Sequence, residues 1–453
     1  MMHVKAVASL VITSLVACSA VATTRYVPSE YATIQAGVDA CVIGDTVLVA
    51  PGTYTGTGNV GIDFHGVDLV LLSEAGPETT VIDCKQSDRA IYLRNYETTD
   101  AVVEGFKIIN GLPAELPGGG ITCENASPKL VNLIISNCEA SGGGAITLAY
   151  STAFLQDLIL EENVGRYDGG AISTHASDVE IHDCVIRNNY ADWGGGIEVS
   201  STTLLIEGAV IEENIAGNAG GGVYVHLDGD PTILGTRFEN NTAVNFGGGG
   251  ISFYSDGGTV RDCIFLSNRS GWFGGALCFE NEDSTPLVEN SIFIGNIADN
   301  GGGAFYIRMH ACPTVRRCTL NENIVLNASV GAIQTAYWGT GVFENVIVAN
   351  TAHGFGIHGG NPFADLTMIC CDVYGNEAGD YGGLAPDLTG VNGNISEDPQ
   401  FCGIAGSGNV YLQSDSPCAP ANNDCSTLIG ALPVGCDTTA SRDATWGGIK
   451  SLY

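Results

Sequence analysis

The sequence predicts an all-β protein that winds as a right-handed parallel β-helix, and two repeat series together with one alternation predict this fold. A glycine-rich step followed by an apolar residue recurs about every 26 residues, and so does an asparagine. The apolar residues are Ile121, Ile146, Ile172, Ile197, Val223, Ile251, Leu277, Phe305, Ile333 and Ile357. The asparagines are Asn110, Asn137, Asn163, Asn189, Asn214, Asn241, Asn268, Asn296, Asn323, Asn350 and Asn376. Within a repeat the apolar residues alternate, as they do in strands, and no stretch has the 3.6-residue spacing of a helix.

Three short strands per repeat would form one coil. Stacked coils lie about 4.8 Å apart, so the strands of one coil bond to the strands above and below. We expect each repeated asparagine at a bend, where its side-chain amide bonds to the asparagine one coil away. The glycines permit left-handed bends. The period alone would also fit leucine-rich repeats, but the strand-like alternation favours the β-helix. A short amphipathic helix within residues 31–41 is expected to cap the open end of the core.

The chain divides into five predicted segments. Residues 1–22 are a signal peptide, 23–110 the cap and first coils, 111–376 the regular repeats, 377–436 the closing coils, and 437–453 a tail. Lys5 and the apolar residues after it fit an export signal that is cleaved after Ala22. A competing interpretation is a lipoprotein signal with Cys18 as the lipidated residue. No later stretch approaches the roughly 18 apolar residues of a membrane helix, so no transmembrane segment is expected.

The charge of the chain excludes some partners. The formal net charge is −33, from 50 acidic and 17 basic residues. Nucleic-acid binding relies on lysine and arginine to neutralise phosphates, so a nucleic-acid partner is not expected. The same charge disfavours unassisted binding of polyuronates. The negative charge is consistent with a solvated surface, and no cofactor is expected. The alternative interpretation is that Ca²⁺ binds near Asp228 and Asp230.

The glycine and asparagine steps carry a resemblance to a known repeat. One half of the repeat is Gly143-Gly144-Ala145-Ile146, Gly169-Gly170-Ala171-Ile172 and Gly274-Gly275-Ala276-Leu277; the other is Phe238-Glu239-Asn240-Asn241, Phe265-Leu266-Ser267-Asn268 and Phe293-Ile294-Gly295-Asn296. These segments resemble the GGA[ILV] and FxxN halves of the chlamydial polymorphic outer-membrane protein repeat, whose members are surface adhesins. The start of the chain is similar to pectate-lyase-like β-helix proteins. The resemblance implies an exported β-helix and leaves its activity open.

Eight of the 16 cysteines form two predicted groups. One group stands five residues before a repeated asparagine: Cys184, Cys263, Cys318 and Cys371. Its members are two or three coils apart, at least about 9 Å, which exceeds the reach of a disulfide, so we expect buried free thiols and no metal site. The second group is Cys402, Cys418, Cys425 and Cys436, near the end of the chain. Four cysteines allow three pairings, and Cys418 with Cys425 is the predicted disulfide.

Alternation in the strand after each glycine step assigns its faces. Two outward columns result, in which neighbours are about 4.8 Å apart. The first outer column is Glu198, Tyr224, Ser252, Cys278, Tyr306 and Gln334; the second is Ser200, His226, Tyr254, Glu280, Arg308 and Ala336. The predicted ligand-binding patch is Tyr224, His226, Tyr254, Glu280, Tyr306 and Arg308. Its tyrosines would stack on sugar rings. For catalysis, His226 or Tyr254 would act as base and Arg308 would stabilise negative charge.

A second outward surface is apolar. It comprises Ile264, Leu266, Ile292, Ile294, Val346 and Val348 in the third strand of successive coils. Aligned apolar residues are seldom left in water, so a loop, the tail or a second copy of the chain is expected to cover them.

The sequence favours an exported or surface protein that binds a glycan or a cell-surface partner without catalysis. The alternative is a polysaccharide lyase, hydrolase or epimerase on the same scaffold, because the fold alone does not choose between these functions. A spacer whose outer face binds nothing is the third interpretation.

Overall fold

The computed structural model describes residues 22–114, 117–254, 257–282, 284–360, 366–403, 406 and 408–436. Within these ranges the chain is a parallel β-helix, so the predicted fold class is confirmed. The predicted signal peptide, including Cys18, and the tail after residue 436 lie outside the described residues. No helix in the described ranges is long and apolar enough to cross a membrane.

Four parallel sheets run the length of the β-helix. Sheet 1 has twelve strands: Ile91–Leu93, Ile121–Glu124, Ile146–Ala149, Ile172–His175, Ile197–Ser200, Val223–His226, Ile251–Tyr254, Leu277–Glu280, Phe305–Arg308, Gly331–Ala336, Phe355–Gly359 and Gly379–Gly383. Sheet 2 has fourteen: Thr24–Val27, Thr46–Val49, Val70–Ser73, Val102–Glu104, Lys129–Val131, Thr152–Gln156, Asp178–His182, Thr203–Glu207, Asp230–Leu234, Thr259–Arg261, Leu287–Glu289, Thr314–Arg316, Gly341–Glu344 and Leu366–Ile369.

Sheet 3 has thirteen strands: Gly52–Tyr54, Thr80–Asp83, Lys107–Ile109, Ile134–Ser136, Ile159–Glu161, Val185–Arg187, Val210–Glu212, Arg237–Glu239, Ile264–Leu266, Ile292–Ile294, Thr319–Asn321, Ile347–Ala349 and Asp372–Tyr374. Sheet 4 has eight: Glu139–Gly142, Val164–Asp168, Tyr190–Trp193, Ile215–Ala219, Thr242–Ala243, Arg269–Ser270, Ile297–Ala298 and Ile324–Val325. Each coil passes through sheets 1, 2 and 3 as predicted. Eight coils contain one additional short strand, and these strands form sheet 4, which the sequence analysis does not predict.

The glycine-step series forms one inner column in sheet 1. All ten of its apolar residues, from Ile121 to Ile357, pair in register across ten coils. The inward residues of sheets 1, 2 and 3 form one continuous core from Val27 to Val373. In sheet 3 the rings of Phe238, Phe265 and Phe293 stack with centroids 4.6 and 4.7 Å apart. Like residues therefore meet like residues along the β-helix axis, which is the direct result of in-register stacking.

Seven buried asparagines form an unbroken hydrogen-bonded ladder. They are Asn163, Asn189, Asn214, Asn241, Asn268, Asn296 and Asn323. The Asn189 side-chain amide donates to Oδ1 of Asn214 at 2.9 Å, and the Asn189 backbone N–H donates to the same oxygen at 3.1 Å. Asn189 also donates to the carbonyl of Leu160 in the preceding coil. Every polar group at this bend thus has a partner although no water reaches it.

The predicted ladder is wrong at three positions. Asn110, Asn137 and Asn350 have φ values of 60°, 54° and 56°, so they occupy the left-handed position one residue before the ladder. The ladder positions in those coils hold other residues; Cys138 and Thr351 donate their backbone N–H groups to Asn163 and Asn376. Asparagine tolerates a left-handed backbone better than most residues do, so both positions favour it and a period alone confuses them.

A six-residue helix, Ile34–Asp39, closes the first coil, as predicted. Thr33 caps its N-terminus by accepting a hydrogen bond from the Ala36 N–H. The helix buries Ile34, Gly37 and Val38. A Cβ at Gly37 would lie 3.1 Å from Val27 and Val47, so the small glycine lets the helix pack closely on the first two strands of sheet 2.

The closing segment, residues 397–436, packs on the outer face of sheet 3. Its apolar residues Val410, Leu412, Ile429, Ala431 and Leu432 contact outward residues such as Ile292, Ile294, Ile347 and Ala349. The chain itself therefore covers this apolar face, and a second copy is not needed to bury it. Val346 and Val348 were assigned to this face incorrectly: both belong to the main core, because the Asn350 error moves this coil by one residue.

Two disulfides tie the closing segment, and neither is the predicted pair. Cys370 bonds to Cys425, and Cys402 bonds to Cys436. Cys418 is a buried free thiol whose Sγ donates to the Asp372 carboxylate at 3.2 Å. Cys418 therefore faces sheet 3 and cannot reach Cys425.

The predicted column Cys184, Cys263, Cys318 and Cys371 consists of buried free thiols, as expected. Burial raises the pKa of each to about 12, so these thiols are unreactive near neutral pH.

Replacing one ladder asparagine should destabilise the protein strongly. Asn214→Ala removes the acceptor of two Asn189 donors inside the core, so we expect the free energy of unfolding to fall by about 2–4 kcal/mol. The matched control is Asn188→Gly, one position before the ladder, where φ is 55° and glycine fits. It should change the stability by less than about 0.5 kcal/mol. Urea unfolding measures both, and equal effects would contradict the ladder.

The buried carboxyl of Asp372 should make stability depend on pH. Its burial raises its pKa to about 7, against an ordinary value of 3.8. The folded state therefore binds a proton that the unfolded state has lost, and the resulting stabilisation disappears as the pH rises through 7. Relative to Asp372→Asn, the parent should become less stable between pH 5 and pH 8, by at most about 2.7 kcal/mol, because only about two pH units separate pH 5 from the folded pKa. Thermal unfolding across this range tests it, with exposed Asp415→Asn as control; parallel curves for parent and Asp372→Asn contradict it.

Candidate functional site

The two predicted outer columns exist in the register that the sequence predicts. Glu198, Tyr224, Ser252, Cys278, Tyr306 and Gln334 are successive partners in sheet 1, as are Ser200, His226, Tyr254, Glu280, Arg308 and Ala336. The six residues of the predicted patch therefore lie on one face. Their accessibility, however, differs from the prediction.

The first outer column is covered by the protein itself. Tyr224 is 7% and Tyr306 4% exposed. The Trp193 ring lies 4.9 Å from that of Tyr224, and the Phe273 ring stacks on Tyr306 at 4.2 Å. These covering residues precede the left-handed glycine of each step, where the chain bends back over the outer face of sheet 1. The prediction that Tyr224 and Tyr306 stack on sugar rings is therefore wrong.

Glu280 and Arg308 form an ion pair. Arg308 Nη2 donates to Glu280 Oε2 at 2.7 Å, and the Cys278 thiol donates to Oε1 of the same carboxylate at 3.4 Å. Glu280 is only 7% exposed. Arg308 is half-buried like His226, but it lies three coils from His226, roughly 14 Å at the strand spacing, so it cannot act on the same reacting atom. Of the predicted patch, His226 and Tyr254 are the accessible residues that lie close enough to act together.

His226 belongs to a cluster of acid and base groups that the sequence analysis did not assemble. Its Nε2 lies 2.5 Å from Glu198 Oε1, and the Ser173 hydroxyl donates to Glu198 Oε2 at 2.8 Å. Glu198 is 4% exposed, whereas His226 is half-buried. A half-buried third group, Asp168, lies close enough for its charge to interact with both Glu198 and His226.

The repeat explains why Asp168 faces Glu198. The residue before each left-handed glycine covers the first outer column of the next coil. In five coils these pairs are Gly142 with Ser173, Trp193 with Tyr224, Gly247 with Cys278, Phe273 with Tyr306, and Gly301 with Gln334. Asp168, before Gly169, covers Glu198 by the same rule. Other coils pair an aromatic residue with an aromatic residue or place a glycine over the outer side chain, whereas this coil places two carboxyl groups together.

The surroundings of Asp168 raise its pKa. Burial and the Glu198 carboxylate raise the pKa of Asp168 to about 6, while His226 counteracts the rise. The cluster therefore combines a carboxyl whose pKa lies closer to neutrality than usual with a second carboxyl that contacts a histidine and a serine. A proton donor beside a proton acceptor is the arrangement that general acid–base catalysis requires.

The calcium alternative gains no support from the geometry. Asp228 and Asp230 are both exposed. In the described part of the chain no group of three or more histidine, cysteine, aspartate or glutamate side chains could hold a metal ion.

A different set of accessible residues lines the corner between sheets 1 and 2. In seven coils from Tyr150 onward, the described residue that follows the sheet 1 strand has a positive φ, and these residues form a corner column: Tyr150, Ala176, Ser201, Leu227, Asn281, Met309 and Tyr337. Tyr150 is 58% exposed, and Tyr96, beside it in an earlier coil, is 79% exposed. These left-handed positions give no alternation signal, so a strand pattern could not reveal them.

Two open troughs meet at Tyr150. The first, about 320 Å³, is lined by Tyr96, Glu97, Thr98, Thr99, Asn125, Ser127 and Tyr150. The second, about 450 Å³, is lined by Tyr150, Ser151, Thr152, Ala176, Ser177, Asp178 and Ser201. The Tyr150 ring is held edge-on against His175, with centroids 5.4 Å apart. Exposed tyrosine rings thus stand beside several hydroxyl groups and an amide.

Sequence comparison identifies the family. The family described as "Right handed beta helix region" matches residues 69–238 and, overlapping them, residues 214–383. The chain belongs to the right-handed β-helix family. This match covers the coils and does not extend to the chlamydial repeat or its adhesin role. No curated protein matches the chain.

Several solved structures are similar in fold. A PL6 alginate lyase in complex with a trisaccharide aligns at 10% identity and a TM-score of 0.45, over 92% of this chain and 95% of the lyase. The catalytic unit of a GH87 α-1,3-glucanase from Streptomyces thermodiastaticus aligns at 13% identity and 0.41, over 77% of this chain but 65%, less than two thirds, of the glucanase. The receptor-binding domain of the Siphovirus 9NA tailspike aligns at 13% identity and 0.39, over 83% and 78%.

The carboxyl pair can be tested by titration. Glu198→Gln removes the like charge beside Asp168, so the pKa of Asp168 should fall, although burial should still keep it above 3.8. His226→Gln removes a stabilising cation, so the same pKa should rise. Carboxyl ¹³C NMR of aspartate-labelled protein measures both shifts. An unchanged Asp168 midpoint in both variants would show that the three groups do not interact.

Proposed function

We propose that this protein binds polysaccharide chains at the corner between sheets 1 and 2, with Tyr96 and Tyr150 as the principal contacts. The observation that carries the proposal is the pair of open troughs that share Tyr150. Tyrosine presents a large rigid ring at a low cost in side-chain entropy, and the neighbouring hydroxyls and amide are the groups that bond to sugar hydroxyls. Both troughs are shallow, which fits a chain rather than an enclosed small molecule.

The expected ligand is an uncharged glycan. Neither trough has a lysine or arginine in its lining, whereas Asp178 lines the second one. The chain as a whole carries a net charge of −33. A polyuronate would therefore meet repulsion without a compensating cation, while a neutral polysaccharide would not.

The proposed setting is outside the cell. The predicted export signal would direct the protein to an oxidising compartment, and the disulfides Cys370–Cys425 and Cys402–Cys436 are consistent with such a compartment. In this role the protein is a non-catalytic, adhesin-like glycan-binding protein.

Tyr150→Ala should weaken binding of neutral polysaccharides at least tenfold, because it removes the ring common to both troughs. Binding is measured by affinity electrophoresis against a panel of neutral glycans and polyuronates. The matched control is Tyr167→Ala, since Tyr167 is 61% exposed but lies on sheet 4 away from the troughs. Binding that survives Tyr150→Ala, or a parent protein that retains only polyuronates, contradicts the proposal.

A second candidate function is hydrolysis of a glycosidic bond, favoured by the cluster of Asp168, Glu198 and His226. Asp168 would give its proton to the leaving glycosidic oxygen. His226, held by Glu198, would take a proton from the attacking water as the new carbon–oxygen bond forms and the glycosidic bond breaks. Solvent then returns a proton to Asp168 and takes the added proton from His226. The cluster of Asp168, Glu198 and His226 contains no lysine or arginine to stabilise a carbanion, so hydrolysis fits better than elimination or epimerisation.

Hydrolysis predicts a specific loss in Asp168→Asn. Release of reducing ends from any polysaccharide that the parent cleaves should fall at least a hundredfold, while Tyr150-dependent binding persists. Glu180→Gln, at an exposed carboxylate on sheet 2, is the control. A parent that binds polysaccharide but releases no reducing ends from it rules out this second function.

A further inference from the structure

A second aromatic surface lies farther along the same corner. The rings of His310 and Trp338 are stacked, with centroids 5.5 Å apart and planes 3° from parallel. Trp338 is 47% exposed, and the neighbouring Tyr337 and Met309 are also exposed. Together these four residues form what we call the distal platform.

The distal platform is aligned with Tyr150 along the β-helix axis. Strand register places Ala149, His175, Ser200, His226, Tyr254, Glu280, Arg308 and Ala336 in one column. The residues that follow them are therefore stacked as well, from Tyr150 to Tyr337. Seven coil spacings separate these two residues, which corresponds to about 34 Å.

Left-handed turns fix the side chains of the distal platform in place. The corner imposes a left-handed backbone, and Asn281, with φ 72°, is the residue type such a position favours. Met309, His310, Tyr337 and Trp338 have φ values of 54°, 68°, 48° and 65°. These turns hold four bulky side chains in solvent-facing positions, where a ligand can reach them.

Three described residues of the corner column lie between the two aromatic sites without a large polar or charged side chain. Ala176 and Ser201 are small, and Leu227 presents an exposed apolar side chain. The nearby charges at Asp228 and Glu282 are acidic, so a neutral chain again fits better than an acidic one.

We propose that one neutral glycan chain lies parallel to the β-helix axis and binds at Tyr150 and at the distal platform simultaneously. This inference rests on the proposed glycan-binding function and adds its orientation and minimum length. Once a glycan chain that spans about 34 Å is bound at one site, its binding to the second site is intramolecular. The affinity of the protein for such a chain is therefore higher than its affinity for a fragment that reaches only one site. A shorter fragment engages only one site.

The test is isothermal titration of soluble neutral oligosaccharides of defined length, taken from the polysaccharide that the parent binds. Chains longer than the span should bind at least tenfold more tightly than fragments of half that length. Trp338→Ala should reduce the affinity for long chains to that for short fragments. Trp272→Ala is the matched control, because Trp272 is 51% exposed and lies outside the corner column.

The outcomes separate this inference from the function on which it rests. Short fragments that still bind in a Tyr150-dependent manner, with no gain from length, would overturn the two-site binding and leave the proposed function intact. A length preference that persists in Trp338→Ala would equally overturn it. Loss of the preference in both Tyr150→Ala and Trp338→Ala, but not in Trp272→Ala, supports it.

Discussion

The hydrogen bonds between stacked coils are the interaction on which every other feature depends. Each strand pairs in parallel and in register with strands of the coils above and below. A slip of one residue would exchange the inner and outer faces of a whole coil. The buried asparagine ladder opposes such a slip, because each amide donates to the next coil and any shift would leave polar groups unpaired inside the core.

In-register stacking turns sequence positions into columns, and the columns give this molecule its surface chemistry. It places phenylalanine over phenylalanine inside sheet 3 and left-handed residues in one row at the corner. It also makes Asp168 cover Glu198 in the manner in which Phe273 covers Tyr306. Both the corner column and the cluster of Asp168, Glu198 and His226 are therefore properties of the repeat, modified by a few side chains.

The sequence predicts the repeated strands and their register, but it does not predict which parts of the chain cover their outer faces. Register in sheet 1, the capping helix and the buried thiols follow from period and alternation alone. The burial of Tyr224 and Tyr306 does not follow from them, because it depends on a bend at the glycine step, where apolar and polar residues do not alternate. Asn350 misled the assignment because asparagine is favoured at two adjacent positions. Cys418 could not be placed, because the path of the closing segment over sheet 3 is set by long-range apolar contacts.

The most direct test of this account is the distance between spin labels on Ala176→Cys and Met309→Cys, a half-buried and an exposed position of the corner column, measured by pulsed electron paramagnetic resonance. Five coil spacings separate them, so the account predicts a narrow distribution centred near 24 Å plus the reach of the labels. Most native free thiols in the described part of the chain are buried, and Cys312→Ser removes the one partly exposed thiol among them. A broad distribution, or one centred beyond about twice that distance, would contradict the stacked column from which both binding surfaces are derived.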